Sequence, residues 1–369
     1  MSNNKKDNQQ KVQPSTLIKP KGVSPPPDDI RKLRAKAKKP QPKIEEDPAP
    51  QTPSNSNPIF STDIIDGDKL LDYRWNLLKD LLIREYPECC FCVGYGSGII
   101  PQIGYDYAKV LPMMDLIFVV KDTVKFHEEN KKLNPDHYHG HLWLFGSPFI
   151  SLLEKNVFPA IFIPNVFIYE PVKEEESGKV EYVVQHEVKY AVVSEETFRR
   201  DLLTWNLLSF AGRMHKPTRI VEGKQGISPE MQDAINKNYQ SAVYMSRLLS
   251  TNLPQQQDER EFQLLKTIIR LSYEGDIRMK LGAEDQEKVN KLLKGNLIKM
   301  QALYKPFWNR KVYPPDGWEG LSADETWANI KSINRKSSWL MPLNQGLADS
   351  PLRNIKYLWQ KLKKGIFKK

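Results

Sequence analysis

Two stretches that lie close together in the chain contain the residue types needed for chemistry on phosphates. The first is a short apolar run that ends in Gly96, Ser97 and Gly98. A main chain without side chains at both glycines can approach a phosphate closely and offer its N–H groups as donors. The second is the apolar run 111–120, which contains Asp115. A carboxylate beside that turn can hold Mg²⁺, which takes oxygen ligands and phosphates. Together the two stretches predict nucleotidyl transfer.

Each half of this pattern also has a structural interpretation. A Gly-x-Gly-x-Gly string alone is often only a tight turn. A dinucleotide-binding motif is weakly supported, because its third glycine is absent and the acid expected near the end of the next strand is not evident. Asp115 is harder to explain as structure, since burying an unpaired carboxylate in an apolar strand costs free energy.

The elements that must position these residues follow from hydrophobic periodicity and turn signals. Apolar runs bounded by turns are typical of buried strands, and leucines at helical spacing predict an amphipathic helix. Ser194, followed by two acids, predicts a helix start, and Trp205 in that helix is expected in the core. The predicted strands are 91–98, 111–120, 159–169 and 181–193, and the other predicted helices are 68–86, 228–250, 258–273 and 285–304.

Several segments together resemble one known family. They are Gly-Tyr-Gly-Ser-Gly (94–98), Met-Asp-Leu-Ile-Phe (114–118), Phe-His-x-x-Asn (126–130), Asn-Pro-x-His-Tyr (134–138), Lys-Tyr-Ala-Val-Val-Ser (189–194), Asp-Leu-Leu-Thr-Trp-Asn (201–206), Ala-Gly-Arg-Met-His-Lys-Pro (211–217) and Leu-Ser-Tyr-Glu-Gly-Asp-Ile-Arg (271–278). This pattern resembles the mitochondrial-type phosphatidate cytidylyltransferases (CDP-diacylglycerol synthases), the translocator assembly and maintenance family. The resemblance covers about 60–335 well and the C-terminal tail loosely.

The resemblance implies an architecture and a reaction. The expected fold is an α/β (α+β) nucleotidyltransferase domain with a mixed sheet over 59–220, followed by a mainly helical, winged-helix-like domain over 221–335. The reaction would be transfer of CMP from CTP to phosphatidic acid, giving CDP-diacylglycerol and pyrophosphate for cardiolipin and phosphatidylglycerol synthesis. Mg²⁺ would be the cofactor. The location would be peripheral, on the matrix side of the mitochondrial inner membrane, although the Lys-rich tail is a poor targeting signal.

The resemblance also implies which residues form the site. The catalytic residues would be Ser97, Asp115 and Lys189, with Asp115 holding the metal ion. The nucleotide- and phosphate-binding residues would be Gly96, Ser97, Gly98, Lys189, Arg213, Lys216, Asp276 and Arg278.

Some of these residues have alternative roles. Lys189 could be an edge-strand lysine that reaches water. Arg213 and Lys216 could instead interact with the negative end of a helix dipole. Asp276 and Arg278 could form a structural ion pair.

The charge of the chain lies mainly in its two ends. The net charge is +10, of which residues 1–58 carry +6, residues 351–369 carry +7 and the remainder carries −3. The folded part is therefore not expected to bind nucleic acid. Residues 1–58 are rich in proline and lack aromatic residues, which predicts a disordered tail.

The C-terminal region 336–369 ends in a basic amphipathic segment. Apolar residues recur at helical spacing over 351–369, with seven cations and no acid. Such a segment is an ordinary terminal helix or an interfacial helix on an anionic membrane surface, and we expect the second. The predicted membrane-binding residues are Lys356, Trp359, Lys361, Lys363 and Lys364.

The remaining cysteine and histidine patterns predict no strong metal site. Alternation along a strand would put Cys90 and Cys92 on one face as buried free thiols. His137, His139 and His141 would share a face if they lay on a strand, but a proline-led loop is favoured, and the resemblance supports only His137. No apolar run approaches the length of a membrane span, so a soluble or peripheral protein is expected.

The sequence departs from the family pattern at several places. The second acid typical of nucleotidyltransferases is replaced by Ile117, which the family's own pattern also tolerates. Glu170 stands where the family tends to have Asn, and Ala191 replaces a Gly. The family also has a Lys-Gly…Thr-Ala-Gly segment late in the chain, and residues 343–348 match it only poorly. Two other functions remain open: a nucleotidyltransferase acting on RNA or a small soluble acceptor, and a non-catalytic peripheral membrane protein.

Overall fold

The computed structural model describes residues 62–348, apart from 106, 108–111, 139–140, 157–159, 174–179, 225 and 283. The predicted N-terminal tail and the basic segment 351–369 lie outside the described residues. The chain divides into one unit made of 1–53 with 169–184 and a second made of 54–168 with 185–369. The cores and the cavity described below belong to the second unit.

Each helix and strand predicted within the described residues is present near its predicted position, and the structure contains further elements that the sequence analysis did not predict. The strands are β1 (Phe91–Tyr95), β2 (Met114–Val120), β3 (Ile161–Lys173), β4 (Val180–Ser194) and β5 (Arg219–Glu222). The α-helices are α1 (Thr62–Glu85), α2 (Thr123–Leu133), α3 (His141–Asn156), α4 (Glu195–Thr204), α5 (Ala211–Met214), α6 (Pro229–Leu249), α7 (Gln257–Arg270), α8 (Ile277–Lys280), α9 (Lys288–Tyr304) and α10 (Ala323–Ala348), with 3-10 helices at Pro135–His137 and Lys305–Phe307. The prediction of a helix capped by Ser194 is confirmed, because the Ser194 hydroxyl accepts from the Thr197 N–H.

The strands form one mixed sheet in the order β3-β4-β2-β1-β5. Strand β1 pairs antiparallel with β2 and with β5, whereas β2 and β4 run parallel. The prediction of a mixed sheet with many helices is confirmed. The edge-strand alternative for Lys189 is wrong, because β4 lies inside the sheet between β3 and β2.

The two faces of the sheet are covered by different parts of the chain. The front face, which carries Phe91, Val93 and Ile117, packs with α4–α7, α9 and α10 into one hydrophobic core. The back face, which carries Cys92 and Leu116, packs with α1, α2 and α3. Because the front core joins the sheet to the helices after residue 221, burial of apolar area holds these two parts together.

A network of buried polar side chains lies on the back face. Asn130 donates to the Tyr138 hydroxyl at 3.1 Å and to the Tyr190 hydroxyl at 2.7 Å. The His127 ring is bonded to Tyr138 through Nδ1 (2.9 Å) and to Glu154 through Nε2 (3.2 Å). The family-like Phe-His-x-x-Asn and Asn-Pro-x-His-Tyr segments therefore tie α2 and the 3-10 helix to the sheet.

One interpretation of the cysteines is wrong, and the unfavoured alternative for the histidines is excluded. Cys90 and Cys92 belong to different cores, because the strand and its alternation begin only at Phe91. Both are buried free thiols, as predicted. His137 lies in a 3-10 helix and meets the Tyr190 hydroxyl at 3.2 Å, and His141 begins α3, so a shared strand face is excluded; His139 lies outside the described residues.

No helix within the described ranges is both long and apolar enough to cross a membrane.

Candidate active site

Three side chains stand in a row across adjacent strands at one end of the front face. Asp115 on β2 is in register with Tyr95 on β1 and with Lys189 on β4. Residues in register on neighbouring strands lie about 5 Å apart and project to the same side. The sequence placed Asp115 and Lys189 in separate motifs, and the sheet brings them side by side.

The Gly-Ser-Gly turn begins where β1 ends and closes over Asp115. Gly96 has φ +80°, and a Cβ at this position would lie 3.1 Å from the Asp115 Oδ2 atom. The Gly96 carbonyl accepts from the N–H groups of Ile99 and Ile100. The Ser97 N–H donates to no other main-chain group of the described residues. A glycine is therefore required both by the positive φ and by the adjacent carboxylate.

Gly98 has a different environment. A Cβ on Gly98 would lie 2.2 Å from the Met113 carbonyl oxygen, so this glycine allows the turn to pack against the segment that leads into β2. Gly98 does not line the cavity described below. The turn is further fixed by Tyr107, whose hydroxyl donates to the Ser97 carbonyl (3.2 Å) and accepts from the Gln102 N–H (2.8 Å).

Arg213 and Lys189 share an aromatic ring. The Lys189 Nζ lies 4.8 Å from the centroid of Phe162, and the Arg213 guanidinium lies 5.4 Å from the same centroid and 5.1 Å from that of Tyr95. Aromatic faces attract cations, more strongly where water is excluded. Phe162 is buried, so its ring stabilises two neighbouring positive charges.

The loop that carries Arg213 is organised by a buried carboxylate. The two oxygens of Asp201 accept from the N–H groups of Leu207, Leu208, Phe210 and Ala211 at 2.7–3.1 Å. Burial raises the pKa of Asp201, while these four bonds lower it in part. Arg213 follows directly and donates to the Ser209 carbonyl at 2.5 Å.

Lys216 is held at the same side of the cavity. Its Nζ donates to the Gly212 carbonyl (2.5 Å) and to the Ser272 hydroxyl (3.0 Å), and it lies 5.2 Å from the centroid of Tyr273. Burial, with a further contribution from the charges of Arg213, Lys288 and Arg278, lowers the pKa of Lys216 to about 7. This ammonium would gain most from an anion in the cavity.

Asp276 and Arg278 form the ion pair that the sequence left open as the alternative to a role in the site. The Arg278 Nε lies 3.1 Å from both Asp276 oxygens, and Asp276 also caps α8 by accepting from the Arg278 N–H at 2.9 Å. Arg278 lines the cavity, whereas Asp276 is buried behind it. The ion pair and a contribution of Arg278 to the site are therefore compatible.

These residues surround one cavity of about 390 Å³. Of the described residues that line it, five are cations and two are acids: Lys189, Arg213, Lys216, Arg278, Lys288, Asp115 and Glu284. The volume suits a nucleotide-sized ligand. The excess of positive charge favours an anion with several phosphates.

Several residues of the site were missed by sequence reasoning. Lys288 and Glu284 join the cavity from the start of α9, and they are paired with each other at 3.2 Å. Glu187 lies two residues before Lys189 on β4, and therefore on the same face. Burial and the charge of Asp115 raise the pKa of Glu187. Alternation along β4 was the signal that could have identified Glu187; nothing local marks Lys288.

Asn296 supports the turn from the helical side. It interrupts the regular helical dihedrals of α9, and its Nδ2 donates to the Pro101 carbonyl at 3.1 Å. At the preceding position, a Cβ on Gly295 would lie 3.1 Å from the Ile103 nitrogen. The helix thus packs directly on the loop that follows Ser97.

The carboxylates near the turn are too few to hold a hard divalent cation by themselves. They fit one when a bound ligand supplies further oxygen atoms. No group of three or more acidic, histidine or cysteine side chains able to hold a metal occurs within residues 62–348 where the structure describes them. Asp115, however, lies beside a glycine turn and near Glu187, and Mg²⁺ usually keeps few protein ligands together with phosphate oxygens. The donor set therefore fits Mg²⁺ bound together with a nucleotide.

The predicted membrane-binding residues Lys356, Trp359, Lys361, Lys363 and Lys364 lie outside the described residues.

Comparison with known proteins identifies relatives. Residues 78–314 match the family model described as "Phosphatidate cytidylyltransferase, mitochondrial". Proteins of the same name are 33% identical over 283 residues in Saccharomyces cerevisiae (75% of this chain, 67% of the relative), 35% over 242 residues in Schizosaccharomyces pombe (66% and 53%) and 30% over 234 residues in Homo sapiens (63% and 47%). The chain thus spans about half to two thirds of the length of these relatives. On this evidence, the chain belongs to the mitochondrial phosphatidate cytidylyltransferase family.

Proposed function

We propose that this chain is a CTP:phosphatidate cytidylyltransferase that produces CDP-diacylglycerol and pyrophosphate. The observation that carries the proposal is the row of Tyr95, Asp115 and Lys189 under the glycine turn, facing a cavity with an excess of cations. The names of the relatives support the same reaction.

The reaction requires positioning and charge neutralisation more than proton transfer. An oxygen of the phosphatidate phosphate attacks the α-phosphorus of CTP, and the bond from that phosphorus to the bridging oxygen of the β-phosphate breaks. Pyrophosphate leaves with that electron pair. Because the attacking phosphate is already an anion, no strong general base is needed. Lys189 and Arg213 would stabilise charge at the α-phosphate, while Lys216, Arg278 and Lys288 would bind the outgoing pyrophosphate or the lipid phosphate.

Asp115 is the residue we assign to Mg²⁺, with Glu187 as the second carboxylate nearby. When bound, the ion supplies electrostatic shielding between the nucleotide and the acceptor and polarises phosphoryl oxygens. The main-chain N–H of Ser97 and its hydroxyl would orient phosphate oxygens beside it.

We further assign the sheet to the nucleotidyltransferase fold and the helices after residue 221 to a winged-helix-like domain. The support is the glycine turn and the carboxylate on adjacent antiparallel strands, followed by a helical region. The names of the relatives support a mitochondrial location. Within the mitochondrion, we propose action at the matrix side of the inner membrane.

The decisive experiment measures transfer of label from radioactive CTP into the lipid phase, with phosphatidate-containing vesicles and Mg²⁺. The wild-type chain should transfer label, and Asp115→Asn should reduce turnover by about a thousandfold or more. Asp324→Asn, at an exposed acid of α10, is the matched control and should behave as wild type.

A second readout separates metal binding from activity. The paramagnetic signal of free Mn²⁺ should fall when the protein and CTP are present, and both Asp115→Asn and Glu187→Gln should weaken this effect. Lipid-phase label that is unchanged in Asp115→Asn would refute the metal assignment. If the wild type binds CTP but labels no lipid, the acceptor is wrong and a soluble acceptor becomes the better hypothesis.

A further inference from the structure

Two of the most exposed apolar side chains in the described part of the chain lie beside the cavity. Leu281 is 67% exposed and Trp339 is 65% exposed. Single exposed apolar residues are common, but large ones next to a functional cavity indicate an interaction surface. We call this pair, together with the exposed cations Arg335 and Lys336 of α10, the rim face.

Leu281 sits at the tip of a tight loop whose two ends both line the cavity. The Glu284 N–H donates to the Arg278 carbonyl at 3.1 Å, which closes the loop, and both residues line the cavity. Gly282 follows Leu281 with φ +68°, and a Cβ there would meet nothing within 4 Å. The loop therefore projects Leu281 into open space beside the cavity.

Trp339 is fixed at the same rim by the packing of α10. Asn334 donates to the carbonyls of Leu271 (2.8 Å) and Glu274 (2.9 Å), and the Ser338 hydroxyl accepts from the Ile277 N–H at 3.2 Å. Ser338 lines the cavity, and Trp339 is the next residue of the helix. Because α10 is tied to the segment that leads into α8, the tryptophan and the Leu281 loop flank the same cavity.

The charges around this rim favour an anionic surface. Arg335 and Lys336 are exposed on α10, and the sequence from Thr326 to Ala348 contains no acid. The acids that follow the loop are already paired, Glu284 with Lys288 at 3.2 Å and Asp285 with Lys291 at 2.6 Å. The segment 351–369, with seven cations and no acid, follows shortly after α10 in the sequence.

We propose that the rim face docks on an anionic lipid bilayer, with Leu281 and Trp339 inserted at the headgroup level. This proposal deepens the proposed function, on which it rests for the identity of the lipid substrate. Apolar side chains that enter the interface, with cations beside them, are the chemistry of peripheral binding to anionic lipid. Tryptophan in particular favours the interface, where one end is apolar and the other is wet.

Docking in this way would bring the lipid phosphate to the cavity without removing the lipid from the bilayer. The Arg278 side chain is 37% exposed and lines the cavity, so it can meet a phosphate that enters at the rim. The bilayer would thus lie against the helical region. This is the side of the cavity opposite the sheet residues Tyr95, Asp115 and Lys189.

The test compares the full-length chain with the double variant Leu281→Asp/Trp339→Asp. Binding to phosphatidylcholine vesicles that contain phosphatidate is measured by co-sedimentation at raised salt, which weakens the purely electrostatic contribution of the tail. The double variant should bind about tenfold or more weakly. Its turnover on vesicles should fall similarly, whereas turnover on monomeric dihexanoyl phosphatidate should stay within about twofold of wild type, because neither residue lines the cavity.

Ile298→Asp provides the matched control. Ile298 is 68% exposed on α9 and does not line the cavity, so this variant introduces a charge at an equally exposed apolar site away from the rim face. It should bind vesicles as wild type does. Equal binding by wild type and the double variant, or equal losses in the double variant and Ile298→Asp, would overturn the proposal. No vesicle binding by the wild type would overturn it as well.

A second measurement does not depend on charge insertion. Phosphatidylcholine with brominated acyl chains quenches tryptophan close to the bilayer core. The brominated lipid should quench a component of the wild-type tryptophan emission, and the emission of Trp339→Phe should not contain this component even without the quencher. Absence of this difference would contradict insertion. If the component is quenched but neither phosphatidate form is turned over, the proposed function fails while the bilayer-docking face stands.

Discussion

Lys189 and Tyr190 are neighbours on β4, yet their side chains lie on opposite faces of the sheet and belong to two different kinds of polar site. On the front face, Lys189 joins a cavity in which cations outnumber acids. On the back face, the Tyr190 hydroxyl is bonded to Asn130 and His137 within a buried network. Polar groups that bond one another in the core specify packing, whereas an excess of one charge around a cavity remains available to a ligand. The difference separates side chains that hold the fold from those expected to act.

After Asp115→Asn, Lys189→Met is the largest expected disruption of the front face. Loss of the ammonium should reduce turnover by about 10²- to 10³-fold, because charge at the α-phosphate loses a direct partner. Stability should change little, since a half-buried cation is replaced by an apolar chain of similar length. Label transfer gives turnover, and urea unfolding gives stability. A large loss of stability with normal turnover would reverse the assignment of the two faces.

Asn130→Ala tests the back face in the same way. Removing the amide leaves the hydroxyls of Tyr138 and Tyr190 without this donor, so the free energy of unfolding should fall by about 2–4 kcal/mol. Turnover at a temperature where the variant is folded should change less than about threefold. Asn329→Ala, at an exposed position of α10, should alter neither quantity.

Phe162→Leu examines the aromatic ring shared by Lys189 and Arg213. Loss of the ring should raise the KM for CTP by about tenfold, because the two cations lose a common partner in a buried position. Phe162→Tyr keeps an aromatic face and should recover most of the affinity. A packing role alone would instead predict equal KM values for the two variants once their stabilities are matched.

At neutral pH the smallest expected effect comes from Lys216, and it takes the form of a pH dependence. Its pKa of about 7 lies below the ordinary lysine value, so in the free protein this group loses its proton above pH 7. Because the unfolded chain keeps that proton to about pH 10, this group makes stability rise with pH across that window. A phosphate ligand favours the protonated form of Lys216, so binding of CTP should be accompanied by uptake of a proton. The affinity for CTP should therefore fall by up to about tenfold per pH unit above pH 7. Calorimetry in buffers of different ionisation heat measures the uptake, which Lys216→Met should lack.

Local sequence was sufficient for most secondary structure, and seven of the residues that the family resemblance named line the cavity: Gly96, Ser97, Asp115, Lys189, Arg213, Lys216 and Arg278. The strands and long helices appear near their predicted positions, because apolar periodicity and capping are properties of a few consecutive residues. Asp115 could be identified because a lone acid in an apolar strand is costly. Cys90 and Cys92 were misassigned because alternation depends on where the strand begins, which is set by pairing.

The sequence by itself determined the family, the strand and helix pattern, and the identity of the residues around Ser97, Asp115 and Arg213. Only the tertiary structure decided that Lys189 lies inside the sheet beside Asp115, that Phe162 contacts two cations, and that Lys288 reaches the cavity from α9. The physical reason is that strand order and register bring together residues far apart in the chain. No local propensity records which strand becomes the neighbour of another.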